Sequence, residues 1–217
     1  MKRGNELLIL LINYFSGFYL VLGIALSMML ELSAFQLILF AGLWIYLLPA
    51  LICRVLIITV GRPVGTVDNT SPVFIYWWFL TQLQMLYARL PFLEELLRFF
   101  PGLYSLWLNL WGAKVSVLTY WSPGVVIADR YHINIGRRAI IGGGCRIGAH
   151  VISLDNHQQP QLILAPVTIE NSAMVGLHAA VGPGCYVHTG ETVPAGKLLK
   201  PFCSVQNGRV HRPSSDR

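Results

Sequence analysis

The sequence predicts a mainly β chain, in which a parallel β-helix follows apolar membrane helices, and two observations support this fold class. The first is composition: the whole chain is 54% hydrophobic and only 12% charged, with mean hydropathy +0.57. This chain is more apolar than an ordinary soluble domain. The second observation is a six-residue period: in the C-terminal third, aliphatic residues recur at Ile135, Ile141, Ile147, Ile169, Val175, Val181, Val187 and Val193. An α-helix repeats every 3.6 residues and an amphipathic strand every two, so neither explains this period.

A parallel β-helix accounts for this six-residue period. Each of its short strands contributes one inward aliphatic side chain and one small corner residue, and three such faces make a coil of about 18 residues. We therefore assign residues 113–208 to this domain and residues 209–217 to a basic tail. The expected small side chains follow most of the aliphatic positions by four residues, as Ala139, Cys145, Ala173, Ala179 and Cys185.

The period fails once, between Ile147 and Ile169, which lie 22 residues apart. We interpret the excess as an inserted polar loop, SLDNHQQPQ, that contains His157. A neutral imidazole with a pKa of about 6.5 can remove a proton from a hydroxyl at neutral pH, so His157 is the predicted catalytic base. Asp155 and Asn156 are candidates for orienting its ring, although an aspartate in a loop also forms turns.

The remaining histidines and the cysteines are predicted to be structural. His132 and His150 lie 18 residues apart, which would stack them at one exposed corner of successive coils. No pair of histidines has the H-x4-H spacing that zinc-dependent carbonic anhydrases of this fold use, and none of the four cysteines forms a C-x-x-C motif. We therefore expect no metal site and reduced, packed thiols.

The N-terminal part, residues 1–62, is predicted to be a transmembrane helical hairpin. Residues 7–30 carry no charge, and residues 33–60 carry only Arg54, so each stretch is long enough to cross a bilayer. The link between them contains Glu31, whereas Lys2, Arg3, Arg54 and Arg62 lie at the opposite ends. By the positive-inside rule both ends are cytoplasmic, which predicts a multi-pass protein of the inner membrane with its catalytic domain in the cytoplasm.

Residues 63–112 are predicted to form a linker followed by short amphipathic helices. This segment is rich in aromatic residues and interrupted by Pro91 and Pro101, so its helices are too short to span. Two arrangements are open. The helices lie in the membrane interface, or they form a packed neck that buries the same aromatic side chains in protein. The residues at issue are Trp77, Trp78, Trp107 and Trp111.

Three segments resemble a known family. They are PGLYSLWLNLWGAKV, YWSPGVVIADRYHINIG and IIGGGCRIGAHVISLDNHQQPQLILAPVTIENSAMVGLHAAVGPGCYV. Together they look like the hexapeptide-repeat acyltransferases, and are most similar to the galactoside, maltose and colanic-acid type O-acetyltransferases, as a membrane-attached variant. The resemblance implies a left-handed β-helix, a homotrimer with its active site between subunits, and acetyl-CoA as the acyl donor.

The resemblance also implies where the donor binds. The oxyanion of the tetrahedral intermediate needs N–H donors, and we expect backbone amides facing the loop to supply them. Gly176 and Ala179 are the candidates, and are the predicted cofactor-binding residues, because small side chains let the pantetheine arm approach the backbone. Lys197 and Lys200 follow the last regular repeats, where related enzymes hold the nucleotide end of CoA. The net charge of +6 therefore fits CoA phosphates and anionic lipids, while the scattered basic residues argue against a nucleic acid as partner.

The predicted function is O-acetyl transfer from acetyl-CoA to a sugar hydroxyl of a lipid-linked or surface-polysaccharide precursor. A membrane anchor would concentrate the enzyme with such an acceptor. Two alternatives are open. One is transfer of a longer acyl chain, from acyl-CoA or an acyl carrier protein, to a lipid or small metabolite. The other is a non-catalytic trimeric scaffold in the membrane.

Overall fold

The computed structural model describes residues 3–154, 158 and 160–212, with side chains from residue 7 onward. Its first half is helical. The helices are α1 (Arg3–Asn13), α2 (Phe15–Met29), α3 (Ala34–Ala41), a π-helical segment (Gly42–Leu47), α4 (Leu48–Thr59), α5 (Pro72–Arg89), α6 (Phe92–Arg98) and α7 (Leu103–Trp111).

One continuous helix, Ala34–Thr59, is long and apolar enough to span a membrane by its length and composition. It comprises α3, the π-helical segment and α4, and its first turn is fixed by a capping box between Ser33 and Gln36. The preceding helices are different. The axis bends by 45° between α1 and α2, so neither of these helices alone reaches the roughly 20 residues that a straight span needs.

The aromatic segment after residue 72 packs into the protein interior. Its first helix, α5, begins after Ser71, whose hydroxyl accepts a hydrogen bond from Phe74 N at 3.2 Å. Trp77, Trp107 and Trp111 are all buried, and Trp107 Nε1 donates to a carbonyl of the membrane-length helix at 2.9 Å. For these three side chains the packed neck is the correct alternative, because they are buried in protein rather than placed at a membrane interface.

The second half contains short strands. They are β1 (Gly65–Asp68), β2 (Lys114–Val115), β3 (Tyr120–Trp121), β4 (Val126–Ala128), β5 (Ile133–Ile135), β6 (Ile140–Ile141), β7 (Arg146–Gly148), β8 (His150–Leu154), β9 (Pro160–Leu164), β10 (Val167–Ile169), β11 (Met174–Val175), β12 (Ala180–Val181), β13 (Tyr186–Val187), β14 (Thr192–Val193), β15 (Leu198–Leu199), β16 (Ser204–Gln206) and β17 (Arg209–His211).

Between residues 114 and 206 the chain visits three parallel sheets in rotation, and we call this region the three-sheet stack. The first sheet has the order β16-β13-β10-β5-β2, with β17 added antiparallel at its edge. The second has the order β14-β11-β6-β3, and the third β15-β12-β7-β4. All eight aliphatic residues of the six-residue period are buried in its interior, as the period predicts.

The predicted fold class is nevertheless wrong. Helices hold 42% of the residues and strands 24%, so the chain is mixed α/β rather than mainly β. Within the described residues the structure shows several parallel sheets and no left-handed β-helix. It also shows one membrane-length helix instead of two, because the break after Asn13 divides the first apolar stretch. The six-residue period indicates which side chains of the stack point inward. The packing of the helices against the stack depends on residues far apart in sequence, so it produces no periodic pattern from which the helical content could be predicted.

The insertion between Ile147 and Ile169 is a β-hairpin rather than a loop throughout. Its strands β8 and β9 pair antiparallel, with Leu154 opposite Pro160, and β1 pairs with the outer edge of β9. The hairpin is held to α5 by a small apolar cluster of Val67, Trp77, Leu162 and Leu164.

The three catalytic candidates, Asp155, Asn156 and His157, belong to the sequence between β8 and β9. They lie outside the described residues.

Candidate functional site

An aspartate–histidine pair lies where the hairpin leaves the three-sheet stack. His150 is the first residue of β8, and its Nδ1–H donates to the carboxylate of Asp129. The second carboxylate oxygen of Asp129 accepts from Trp77 Nε1 at 2.9 Å. The Asp129 side chain is only 1% exposed, whereas that of His150 is 30% exposed. A buried carboxylate therefore orients a partly accessible imidazole.

The electrostatics of this pair favour a basic imidazole. Burial by itself lowers the pKa of His150, but the hydrogen bond and the charge of Asp129 act in the opposite direction and the net pKa is raised. Because Nδ1 is committed to the carboxylate, Nε2 is the nitrogen left to exchange a proton with another molecule. The arrangement is that of an oriented general base.

A buried ion pair fixes the turn that carries Asp129. Arg130 is 2% exposed, and its Nε donates to Glu94 Oε1 on α6 at 2.8 Å. Its backbone N–H donates to Gln84 Oε1 on α5 at 2.9 Å. The guanidinium lies over the ring of Tyr87, 5.2 Å from its centroid. The helices thereby hold the Asp129 turn in place.

The predicted exposed stack of His132 and His150 is wrong. His132 is fully buried, and its Nε2–H donates to the carbonyl of Pro63 at 2.8 Å. Burial lowers its pKa, which the bond to Pro63 only partly offsets. The physical reason is that the two histidines have different partners: the segment between α4 and β1 covers His132 through Pro63, whereas His150 begins the hairpin and pairs with Asp129.

The predicted cofactor residues Gly176 and Ala179 lie at the turn between β11 and β12. Gly176 N donates to Val193 O at 2.8 Å, and Ala179 N donates to Gly176 O at 3.1 Å, so both amides already have acceptors within the chain. A β-carbon on Gly176 would lie 2.5 Å from Ala195 N, which explains the glycine by close packing of neighbouring turns. Their contact with pantetheine stays a prediction.

The other two predicted cofactor residues share a cavity. Lys197 and Lys200 line a space of about 600 Å³ next to β15 and β17, together with His211 and Arg212. Both lysines are exposed. Several cationic side chains around one cavity favour an anionic ligand, and phosphate groups fit this chemistry.

The sequence interpretation missed Asp129 and His150 as a pair, yet a signal was present. Ile127 and Ile135 are both buried in the stack, and they lie eight residues apart instead of six. The two extra residues belong to the 3₁₀ turn Arg130–His132. Asp129 directly precedes this turn and contacts His150, the first residue of the hairpin. A second, smaller failure of the period therefore marked this turn.

The chain has no match among the family models, and no curated protein matches it. The resemblance to acyltransferases consequently stays a prediction from the residues quoted above, and the site must be judged by its own chemistry.

Proposed function

We propose that this protein is a membrane-attached acyltransferase that moves an acetyl group from acetyl-CoA to a sugar hydroxyl of a lipid-linked or surface-polysaccharide precursor. The observation that carries the proposal is the hairpin, whose strands leave the stack beside an aspartate-held imidazole and whose sequence contains His157. A polar insertion in an otherwise regular repeat is a typical position for functional residues.

The proposed reaction needs one base. His157 removes the hydroxyl proton as the acceptor oxygen attacks the thioester carbonyl, and collapse of the tetrahedral intermediate expels the CoA thiolate, which takes up a proton. Asp155 and Asn156 are proposed to orient His157. His150 is a second candidate for the same base, because Asp129 already fixes its tautomer and leaves Nε2 available.

The donor is proposed to bind along the later turns of the stack. The cavity of Lys197 and Lys200 would take the phosphates of CoA, with the pantetheine arm passing Gly176 and Ala179. We further propose a homotrimer, in which the groove between neighbouring subunits completes the site.

The proposed location is the cytoplasmic face of the inner membrane. The helix Ala34–Thr59 supplies the attachment, and Arg54 and Arg62 near its C-terminal end favour the cytoplasmic side for that end. The four native cysteines in the described chain are all buried. A cysteine introduced after Val210 should therefore resist an impermeant thiol reagent in intact cells, and labelling there would contradict this placement.

The test of function is acetyl transfer by the purified full chain. We expect the wild type to release CoA from acetyl-CoA in the presence of a sugar acceptor, and His157→Ala to lose about 10²–10⁴-fold of this rate, the usual contribution of a general base. His150→Ala is the comparison: a larger loss there than at His157 would reassign the base. Faster turnover with long-chain donors would favour the longer acyl group, and no turnover with any donor would favour the scaffold.

A further inference from the structure

An apolar groove runs between the membrane-length helix and α7. It has a volume of about 490 Å³ and is lined on the helix side by Gly42, Tyr46 and Leu47 and on the α7 side by Leu103, Leu106 and Leu110. The volume lies in the range of small-molecule sites, and the wall is almost entirely hydrocarbon. The groove therefore suits a flexible apolar chain better than a polar metabolite.

The polar atoms around this groove are turned away from it. Tyr46 OH donates to Leu93 O at 3.0 Å, and Trp107 Nε1 donates to Tyr46 O at 2.9 Å. The Asn109 amide both donates to and accepts from the backbone of Val115, at 2.8 Å and 2.7 Å. Each of these groups is satisfied inside the protein, so a hydrocarbon occupant would leave none of them unpaired.

The groove lies at the middle of the membrane-length helix. Gly42 is eight residues from Ala34, which at 1.5 Å per residue is about 12 Å from that end of the helix. A roughly 30 Å hydrocarbon layer centred on this helix would place the groove among lipid chains. The available apolar ligand there is a lipid.

A second, polar groove lies on the first sheet of the stack. It has a volume of about 270 Å³ and is lined by Lys114, Asn134, Thr168 and Asn171 among others. Asn109 lines the apolar groove and is hydrogen-bonded to the backbone of Val115, which directly follows Lys114, so this strand links the two grooves. Within the described part of the chain no carboxylate forms an ion pair with Lys114.

The polar groove also borders the strand that follows the hairpin. Thr168 belongs to β10, which the chain enters directly after β9, and its hydroxyl accepts from Asn134 Nδ2 at 3.3 Å. Glu170 lines the groove as well, but its carboxylate is occupied by Tyr186 and by Thr189, whose N–H and hydroxyl donate at 2.9 Å and 2.8 Å. Lys114 is the cationic side chain among the residues that line this groove.

We propose that the two grooves form one site for an amphiphilic acceptor, a polyisoprenyl phosphate carrying a sugar. Its hydrocarbon chain lies in the groove between the Gly42–Leu47 segment and α7, and its phosphate meets Lys114, which leaves the sugar on the side of the hairpin. This inference rests on the proposed function for the sugar, while the lipid site itself does not depend on catalysis.

The test uses the full chain in nanodiscs with a polyisoprenyl phosphate that carries a diazirine in its chain. After irradiation we expect the crosslinked peptides to contain residues 42–47 and 103–110. An excess of unlabelled polyisoprenyl phosphate should abolish this labelling, whereas an excess of phosphatidylglycerol should not. Labelling spread over the exposed faces of α2 and α3, or equal competition by the phospholipid, would overturn the proposal.

Two variants sharpen the test. Leu106→Trp fills the groove from an exposed position and should reduce the labelling of residues 103–110 about tenfold, while Leu51→Trp on an exposed face of α4 should not change it. Lys114→Gln should raise the half-saturating probe concentration about tenfold, the usual loss of one charged contact, and Lys197→Gln in the donor cavity should not. Unchanged labelling in both Leu106→Trp and Lys114→Gln would contradict the site.

The same preparations separate this proposal from the proposed function. Acetyl transfer to a water-soluble sugar and labelling of the groove are measured on the same wild-type preparation, and Leu51→Trp, which lies outside both grooves, should leave both unchanged. Labelling in the groove without any acetyl transfer would refute the acyltransferase and leave the lipid site standing. Transfer without specific labelling would do the reverse.

Discussion

The helical part, residues 3–111, and the three-sheet stack, residues 114–206, are stabilised in different ways. The stack buries repeated aliphatic and small residues, such as Ile141 and Ala139. These residues pack against close neighbours in sequence or against the paired strand of the same sheet, as Ile141 does with Val175. The helical part buries large aromatic side chains and an ion pair contributed by distant segments. The junction between the two parts carries the candidate site, so its stability depends on contacts that neither part makes alone.

The largest expected effect is at this junction. Glu94→Gln removes the carboxylate that pairs with Arg130, whose side chain is 3% exposed, and leaves a buried charge without its counterion. We expect a loss of about 3–5 kcal/mol in the free energy of unfolding, measured by guanidinium denaturation in detergent. Glu95→Gln, one residue further along α6 and 34% exposed, is the control: its partner Arg98 keeps Glu94 as a counterion, so this variant should lose less stability than Glu94→Gln. Equal losses would show that the junction does not depend on the buried pair.

The extent to which the sequence predicts the structure follows the same division. The inward residues of the stack were predictable because one inward position per six residues is a local signal. The eight aliphatic residues of the period, from Ile135 to Val193, are all buried. The fold class was not, because pairing of Arg130 with Glu94 or of Trp107 with Tyr46 joins residues 36 and 61 positions apart. A periodic pattern of neighbouring residues cannot predict contacts between residues so far apart in the sequence.

The candidate site was predictable in the same partial way. The break after Ile147 located the hairpin, and Lys197 and Lys200 share a cavity. The Asp129–His150 pair was missed because its members lie 21 residues apart and meet only after the 3₁₀ turn and the hairpin are both formed. Its orientation also depends on Trp77 from the helical part.

A second prediction tests the interior of the stack with adjacent residues. Ile141 is fully buried between Trp121 and Val175 of the second sheet, whereas Ile140 beside it is 43% exposed. Ile141→Ala should cost about 2–5 kcal/mol in unfolding free energy, because it leaves a cavity, and Ile140→Ala should cost less than about 1 kcal/mol. The measurement is denaturant unfolding of both variants. A reversed order would mean that the inward face has been assigned to the wrong residue.

The smallest effect concerns how the hairpin is joined to the helical part. Asp129→Asn keeps an acceptor for Trp77 but removes the charge that raises the pKa of His150. Because the folded-state pKa lies above the unfolded value of about 6.5, the charged pair stabilises the fold fully below that pH, and this contribution disappears as the pH rises through the folded pKa. The wild type should therefore exceed Asp129→Asn by about 1 kcal/mol near pH 6 and by less at higher pH, as measured by unfolding across that range. Asp129→Asn introduced into a His150→Gln background should change the unfolding free energy by an amount that does not depend on pH over this range. A gap between the proteins that widens with rising pH would show that His150 is not charged through this contact, and the imidazole would then be held by packing against Trp77 alone.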